Sequence, residues 1–323
     1  MTLTKLAKLA HVSVSTASKA FSMSPEVNPG TREMIFGLAK EHGCFKKYYR
    51  AKYNKAVIAL ICPEFDSFNY ANYISGIQRL LEKHNCDICV ASTHFSAEVE
   101  RELLDYYSNY AEVDGVIAIG LQMSAEEWDF DIPTVLISSQ NLIASTPSIR
   151  CPISSALREA ISEWKSLGVA DIGFIGERRT APKLEVFKSV MKELNSQLND
   201  SHIAISDTGF EDGGYEAMSR LLSCKTPPRA VVCAYNYMAI GAMRCLKDRH
   251  LSVPDDVAIL GMDDIPEIAY LTPSLSTIAY KKDEVCALAV KMLMELLAGG
   301  SVFGESVIPA EYNRRESGSI RIN

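Results

Sequence analysis

A group of side chains just after the amino terminus has the chemical types that contact double-stranded DNA. Lys19 can donate to guanine edges or to phosphate, while Val14 and Ser15 can meet base edges, including thymine methyl groups. Three hydroxyls would position the phosphate backbone without reading sequence, namely those of Thr16, Ser18 and Thr31. We therefore expect residues 14–19 to enter a groove of duplex DNA, with sequence selectivity residing in Val14, Ser15 and Lys19.

Two short helices joined by a tight turn must present this surface. Apolar residues repeat at helical spacing in the first segment, and they are Leu3, Leu6, Ala7 and Ala10. Ser13 predicts the N-cap of the second helix, with Val12 and Ala17 placed to form a hydrophobic staple. Ala17, Ala20 and Phe21 share one face of that helix, and small alanines let two helix axes approach closely. The pattern is typical of a helix-turn-helix motif.

A third helix is predicted to complete the small core of this head. Asn28 predicts its N-cap and Pro29 its first position, while Gly43 is the residue type favoured just beyond a helix end. Residues 1–55 should therefore form a small all-α DNA-binding domain with its linker.

The segment resembles the lactose/galactose repressor (LacI-type) family. That family's pattern of Thr, Ala, an Ala-Gly-Val-Ser turn, Thr, Ser and a basic residue corresponds to Thr2, Ala7, residues 10–13, Thr16, Ser18 and Lys19. The resemblance implies a DNA-binding head in which Thr2 is also a contact. The chain departs from the pattern at His11, where the family usually has glycine, and histidine adopts a left-handed backbone only at some cost in free energy.

The linker after the head lies where the family has a hinge helix, which folds on DNA and inserts a leucine pair into the minor groove. By ungapped count Tyr53 stands at that leucine position, within the basic segment 46–55. A tyrosine can partly unstack a base step, although its larger ring and hydroxyl disfavour the same kink. The alternative is a plain basic linker that touches only phosphates, and the sequence leaves both open.

Charge is distributed unevenly along the chain. Residues 1–55 carry ten lysines or arginines and three acidic residues, about +7, so the remainder carries about −14 to give the net −7 of all 323 residues. A basic head attracts phosphate without reading sequence, whereas an acidic body discourages non-specific binding along the duplex. The length also exceeds that of one typical domain.

The nine cysteines are scattered through predicted strands and helices, which suits buried free thiols in a reducing compartment. His84 with the Cys86-Asp87-Ile88-Cys89 spacing is compatible with a metal or redox site, but no second ligand pair follows. We expect no metal and no cofactor. Since the sequence shows neither a membrane-spanning apolar stretch nor a secretory signal, we expect a soluble, cytoplasmic protein without membrane partners.

From Ala56 onward, short apolar runs alternate with amphipathic helical stretches, which is typical of parallel βαβ units. Two sets of four strands are predicted, at residues 57–62, 87–92, 113–119 and 134–138, and at residues 171–175, 202–206, 230–233 and 257–260. Three segments are interpreted as crossings between two lobes, namely 146–152, 274–280 and 306–309. The fold class is therefore α/β, with two doubly wound parallel-sheet lobes behind the helical head.

The expected boundaries follow from these crossings. The body covers residues 56–323, with the first lobe at about 56–148 and 280–304 and the second at about 149–279 and 305–323. Two such lobes make a hinged clamshell with a cleft at the carboxyl ends of the strands. Here the resemblance covers nearly the whole chain, because residues 261–266 and 236–242 look like the family's Gly-Phe-Asp-Asp and Asn-Asp-Met-Ala-x-Gly-Ala segments. It implies a periplasmic-binding-protein-like fold.

The resemblance also implies a ligand site in the cleft. Asp263 and Asn236 match family ligand residues directly, and a carboxylate beside an amide can bind polyol hydroxyls. Lys183 stands where the family has arginine, which keeps the charge but loses the planar fork. Tyr237 replaces a family aspartate, and residues 152–153 replace a polar Asp-Asn pair. The pocket is therefore atypical.

Four further residues sit just past predicted strand ends and are candidates for stacking or polar contacts with the ligand: Phe65, Asn69, Tyr70 and Gln122. An aromatic residue at such a position is as often part of lobe packing as a ligand platform.

We therefore expect a sequence-specific transcriptional repressor whose operator affinity is modulated by a small molecule, a sugar or a derivative of one. Two chains would pair through their bodies and present two recognition helices to a pseudo-palindromic operator. One alternative is a small-molecule binding protein with a vestigial head. Another is an enzyme, although the chain has no nucleophile elbow or phosphate-binding glycine motif, and isolated carboxylates such as Glu64 and Glu177 are weak evidence for acid-base chemistry.

Overall fold

The computed structural model describes residues 1–49, 55–111, 113–120, 132–138 and 146–320. Its chain divides into two compact units. The first contains Met1–Val57 with Asn85–Asp87, and the second contains Ile58–His84 with Ile88–Asn323. None of the helices in the described part of the chain is both long enough and apolar enough to span a membrane.

The head is built from four helices: α1 (Leu3–Leu9), α2 (Val14–Phe21), α3 (Pro29–Glu41) and α4 (Phe45–Tyr49). The predicted caps are confirmed, since the Ser13 hydroxyl accepts from the Thr16 N–H at 2.9 Å and Asn28 Oδ1 accepts from the Thr31 N–H at 3.1 Å. Each of these bonds satisfies a backbone donor that has no partner within its helix. The starts of α2 and α3 are thus fixed by local side chains.

A single apolar cluster holds the head together. Leu6, Ala20 and Ile35 have no exposed surface and come from α1, α2 and α3 in turn. The short helix α4, which the sequence did not predict, adds aromatic rings to this cluster: the Phe21 ring lies 6.1 Å from the Phe45 ring and 5.4 Å from the Tyr48 ring. The head core therefore extends further along the chain than the three predicted helices.

The turn between α1 and α2 has a left-handed residue at His11, where the family usually has glycine. His11 has φ 52°, in the left-handed region, and the Val12 N–H donates to the Ala7 carbonyl at 3.0 Å to close the end of α1. Gly43, at the end of α3, has a similar φ of 64°. A glycine adopts this backbone without the steric penalty of a side chain, so the histidine at position 11 leaves strain in the turn.

The described residues after the head form two six-stranded sheets with helices packed on them. Their strands are β1 (Ala56–Cys62), β2 (Cys86–Ser92), β3 (Gly115–Ile119), β4 (Thr134–Ser138), β5 (Ser148–Arg150), β6 (Ile172–Glu177), β7 (Ile203–Ser206), β8 (Ala230–Cys233), β9 (Ala258–Met262), β10 (Ser276–Ala279), β11 (Glu305–Val307) and β12 (Glu311–Asn313). The first sheet has the order β11-β5-β4-β3-β1-β2 and the second the order β12-β10-β9-β8-β6-β7. The two predicted sets of strands are confirmed as four adjacent strands at one end of each sheet, β4-β3-β1-β2 and β9-β8-β6-β7.

The chain crosses between the two sheets within each of the three predicted segments, and each segment also contains residues of a short strand that was not predicted. Strand β5 pairs in parallel with β4 and β11, and β10 pairs in parallel with β9 and antiparallel with β12. The chain passes from the first sheet to the second after Arg150 and again after Val307, and it returns after Ala279. Short strands therefore extend both sheets beyond the four expected in each.

In the part of the chain that the structure describes, seven α-helices cover the sheets: α5 (Phe68–Glu82), α6 (Ala97–Asp105), α7 (Ser154–Ser166), α8 (Ala181–Glu193), α9 (Phe210–Leu222), α10 (Asn236–Asp248) and α11 (Lys282–Leu297). Helix α11 packs against α5 and the first sheet, as expected from its place after the second crossing. Apolar cores lie on both faces of the second sheet, one under α7 and α8 and one under α9 and α10. All nine cysteines are free, and the described residues show no group of three or more metal-ligating side chains.

The strained turn of the head gives a testable expectation. Replacing His11 by glycine should stabilise the head by about 0.5–1 kcal/mol, because relief of the left-handed strain outweighs the entropy that glycine adds to the unfolded chain. Amide hydrogen exchange of residues 3–41 in the full chain would then slow by about two- to fivefold. His42→Gly is the matched control, since His42 also ends a helix but has φ −98°. Equal effects of the two substitutions would contradict the assignment of strain to His11.

Candidate functional site

Helix α2 presents the predicted recognition residues on its outer face. Val14, Ser15 and Ser18 are exposed, while Ala17 and Ala20 on the opposite face are buried. The exposed fraction of Val14 is 43%, which is high for an aliphatic side chain in a small core and leaves its methyl groups available to a partner. These side chains therefore form a surface that the fold of the head does not use.

The remaining residues predicted to contact DNA differ in how far they are buried or hydrogen-bonded within the head. The Thr2 hydroxyl accepts from the Lys5 N–H, and the Thr16 hydroxyl lies 2.8 Å from the Ser13 hydroxyl. Thr31 is half-buried at the start of α3. Tyr53 lies outside the described residues, so the two interpretations of the linker stay open.

Lys19, on the same helix, has an acidic partner. Its ammonium forms an ion pair with the Glu26 carboxylate, and the side chains of the two residues are 45% and 66% exposed. Glu26 belongs to the loop between α2 and α3. No role for Glu26 was predicted from the sequence.

The second candidate site is a cavity of about 200 Å³ at the carboxyl ends of the strands of both sheets. The residues lining it include Glu64, Asn69, Tyr70 and Phe95 from the first lobe and Glu177, Arg179, Lys183, Phe210, Tyr235, Asn236, Tyr237 and Asp263 from the second. Such an edge collects the loops that follow parallel strands, which is where ligands of these sheets bind. The cleft contains five of the seven residues predicted for it.

Asp263 lies at the centre of this cavity and is only 8% exposed. Its carboxylate accepts from the Lys183 ammonium at 2.9 Å, and its carbonyl accepts from the Lys282 ammonium at 2.6 Å. Lys282 belongs to α11 of the first lobe, so Asp263 connects the two lobes. Burial lowers the pKa of Lys282, and the nearby Asp263 and Asp264 carboxylates act in the opposite direction.

The backbone at Asp263 and Asp264 is left-handed, with φ of 92° and 52°. Two consecutive non-glycine residues in this region persist only where surrounding bonds hold them. The Asp263 N–H donates to the Ile278 carbonyl at 2.9 Å, and the Arg315 guanidinium donates to the Asp264 carboxylate at 3.0 Å. The fold thus holds the Asp263 carboxylate in one position.

Asn236 supports the same turn from below. Its Oδ1 accepts from the Ile265 N–H at 3.1 Å and its Nδ2 donates to the Thr277 hydroxyl at 3.0 Å, with the residue 1% exposed. Glycine at 261 permits this approach, because a Cβ there would lie 2.4 Å from Nδ2. Most of the hydrogen-bonding capacity of the Asn236 amide is therefore used to position the turn that carries Asp263.

Asn69 has the opposite character. Its Oδ1 is buried and has no hydrogen-bond partner among the described residues. The side chain lines both the main cavity and a deeper chamber of about 110 Å³, which Tyr70, Tyr73, Cys151 and Tyr280 also line. A buried acceptor without a partner is costly, and a donor from a bound molecule would satisfy it. Asn69 is therefore the side chain in this cleft most plainly available to a ligand.

Burial keeps the tyrosine hydroxyls and the cysteine thiol of the deeper chamber neutral. It raises the pKa of the Tyr70, Tyr73 and Tyr280 hydroxyls well above the usual range, with the Asp263 charge adding to the effect. It also raises the pKa of the Cys151 thiol to about 12. These groups offer neutral hydrogen-bonding atoms at physiological pH rather than a nucleophile.

Aromatic rings line the outer part of the cavity. The Arg179 guanidinium lies 4.9 Å from the centre of the Phe95 ring, which joins the second lobe to the first. Phe210, with φ 57° and 37% exposed, lies 5.5 Å from the Tyr237 ring. The Tyr237 hydroxyl in turn accepts from the Phe68 N–H of the first lobe at 3.3 Å.

Sequence reasoning missed Phe95, Arg179, Phe210 and Tyr235. Phe95, Arg179 and Tyr235 follow the ends of strands and Phe210 begins the helix after β7, so their positions just beyond strands were the available signal. Phe65, which was predicted, is 48% exposed and does not line the cavity. Gln122 lies outside the described residues.

The two cleft carboxylates that could have served acid-base chemistry are engaged in the fold. Glu64 accepts from the Ser67 N–H at 2.8 Å, which fixes the loop before α5. Glu177 accepts from the Tyr235 hydroxyl at 3.1 Å and from the backbone N–H of Thr180. Their contacts are those of structural carboxylates.

The chain is similar in sequence and structure to transcriptional regulators. The family model described as a periplasmic binding protein-like domain matches residues 161–318. The chain is 24% identical to catabolite control protein A of Priestia megaterium, over 92% of each protein. It is 26% identical to the HTH-type transcriptional repressor CytR of Escherichia coli strain K12, over 93% of this chain and 91% of CytR. Its structure is similar to that of the lac repressor dimer bound to operator and the anti-inducer ONPF, with a TM-score of 0.75, 19% identity and coverage of 98% of this chain and 99% of that one.

The two cleft asparagines should behave differently when truncated. Asn236→Ala removes partners from the buried Ile265 N–H and Thr277 hydroxyl, so we expect the free energy of unfolding to fall by about 2–3 kcal/mol. Asn69→Ala, which removes an acceptor that has no partner, should change it by less than about 0.5 kcal/mol. Urea unfolding of the ligand-free chain measures both. Equal stability losses would show that the Asn236 bonds do not hold the turn.

Proposed function

We propose that the chain, which is similar to LacI-type transcriptional regulators, is a repressor that binds an operator through its head and a small molecule through its cleft. One observation carries this proposal. The same chain has an exposed recognition face on α2 and a built cavity around Asp263. A scavenging protein would have no use for the first, and a constitutive DNA-binding protein would have none for the second.

The operator is a pseudo-palindrome read by a homodimer. The related lac repressor structure is a dimer bound to operator. Two copies of α2 related by two-fold symmetry would enter successive major grooves, which requires half-sites about one helical turn apart. Val14, Ser15 and Lys19 read bases, while Thr2, Thr16, Ser18 and Thr31 position the phosphate backbone. These functions place the protein in the cytoplasm, where the chromosome is accessible.

The effector is a sugar or a sugar derivative. Asp263 and Asn69 offer hydrogen-bond acceptors to ligand hydroxyls. Lys183 offers one donor, because two of the three protons of its ammonium are used by Asp263 and by the Ala234 carbonyl. The rings of Tyr70 and Phe210 supply apolar faces of the kind that C–H groups of a pyranose contact. A polyhydroxylated molecule satisfies both sets of groups. Asn236 acts through the position of Asp263.

Binding in the cleft couples to the head through the relative position of the lobes. The Phe95–Arg179 contact, the Phe68–Tyr237 hydrogen bond and the Lys282–Asp263 hydrogen bond all join one lobe to the other beside the cavity. A ligand that changes these contacts favours one arrangement of the lobes over another. Operator affinity changes only if the ligand binds the DNA-competent and DNA-free arrangements with different affinity.

Lys19 should be required for sequence discrimination. We expect Lys19→Ala to lower affinity for a duplex selected by the wild-type chain from a random library by about tenfold or more, through loss of a specific guanine contact. Fluorescence anisotropy with the selected and a scrambled duplex measures the ratio. Lys192→Ala, an exposed lysine on α8, is the charge-matched control. If Lys19→Ala preserves both affinity and discrimination, α2 is not the reading element.

A thermal-shift screen over sugars, sugar phosphates and nucleobases should identify the effector class. A ligand of the folded state raises the melting temperature as its concentration exceeds Kd, and we expect a neutral sugar or glycoside to do so. The same ligand should lose about tenfold or more in affinity for Asn69→Ala, whose ligand-free stability is unchanged. A ligand that stabilises both proteins equally binds elsewhere, and stabilisation by nucleobases alone would contradict a sugar effector.

A further inference from the structure

The ion pair between Lys19 and Glu26 lies on the surface that reads DNA. Lys19 is the only lysine or arginine of α2, and its ammonium is paired with a carboxylate although the side chain is 45% exposed. An acidic residue beside a DNA-binding surface opposes binding, since it repels phosphate. Its presence there requires an explanation.

The loop that carries Glu26 is held in place. The Arg32 guanidinium donates to the Ser24 carbonyl at 2.8 Å and to the Val27 carbonyl at 3.0 Å, one on each side of Glu26. Val27 is buried in the head core and Asn28 caps α3, which fixes the end of the loop. The Glu26 carboxylate therefore meets Lys19 from a loop with an ordered backbone.

The stereochemistry of the pair suits base reading better than phosphate binding. An ammonium has three protons, so Lys19 can keep one on Glu26 and still donate two to the O6 and N7 acceptors of a guanine. Phosphate contact uses lysine mainly as a point charge, and Glu26 neutralises that charge. The pair is therefore compatible with the specific complex and unfavourable in a non-specific one.

We propose that Glu26 is a specificity-determining residue that restrains Lys19 to base edges and lowers affinity for non-operator DNA. This inference rests on the proposed DNA-reading role of α2 and is independent of the cleft. Glu26 acts as a positioning residue for Lys19 and as a source of repulsion toward phosphate. It raises the ratio of specific to non-specific affinity rather than specific affinity itself.

The test uses the full-length chain and a duplex selected by the wild-type protein from a random library. For Glu26→Gln we expect affinity for random duplex to rise by about three- to tenfold, with the slope of log affinity against log salt steeper by about one, because Lys19 now releases a counterion from phosphate. Affinity for the selected duplex should change by less than about twofold. Discrimination therefore falls.

Base preference gives a second measurement that a purely structural role would not change. Repeating the selection with Glu26→Gln should weaken the preference for guanine at one position of each half-site. In a Lys19→Ala background the Glu26 substitution should leave the salt slope unchanged, since no restrained ammonium remains to reach phosphate.

Glu41→Gln is the matched control, because Glu41 is an exposed acid at the end of α3 and the charge change is the same. If Glu26→Gln and Glu41→Gln have equal effects, Glu26 contributes only net charge and the inference is wrong. If the wild-type chain selects no sequence at all, the proposed function fails instead. Circular dichroism melts establish that both variants keep the folded head.

Discussion

The contacts around Asp263 determine how the cleft is built. Its carboxylate pairs with Lys183 of α8, its carbonyl accepts from Lys282 of α11, and its N–H donates to strand β10. These partners come from both lobes, and Asp263 meets them because its backbone is left-handed. An unpaired charge at this depth would be strongly unfavourable, so the surrounding side chains must stay where they are. The ligand cavity is thus formed around a fixed ionic centre.

The same principle explains the different roles of the two cleft asparagines. The Asn236 amide forms hydrogen bonds that support the turn carrying Asp263. The buried Oδ1 of Asn69 has no hydrogen-bond partner among the described residues. Both residues are asparagines that line the same cavity. Their hydrogen-bond partners alone show that one supports the site and the other is available to a ligand. A similar division exists in the head, where Ser13 and Asn28 cap helices and Ser15 and Ser18 are left exposed.

The sequence predicted the features that depend on local or periodic chemistry. Side-chain type and spacing predicted the caps at Ser13 and Asn28, the left-handed residue at His11 and strands β1–β4 and β6–β9. Strands β5, β10 and β11 were interpreted as crossings because they are only three or four residues long, and what defines them is their pairing with distant strands. The short helix α4 was missed for a related reason, since aromatic packing against Phe21 stabilises it.

The sequence predicted the position of the cleft but only some of the residues that line it. Strand ends identified Asn69 and Tyr70, and the family resemblance identified Lys183 and Asp263. Phe95 and Arg179 become neighbours only when the two lobes are assembled. Phe65 was expected in the cleft but is not among the residues that line the cavity. Such contacts depend on tertiary structure that spacing alone does not encode.

In a ligand-controlled repressor, ligand binding in the cleft and operator binding at the head must influence each other. The most direct measurement determines operator affinity with and without saturating effector, and effector affinity with and without saturating operator, on the same full-length protein. Linkage requires the two ratios to be equal, and a coupling of about 5- to 150-fold is typical. Operator affinity that stays the same at saturating effector, with effector affinity equally indifferent to operator, would contradict a ligand-controlled regulator.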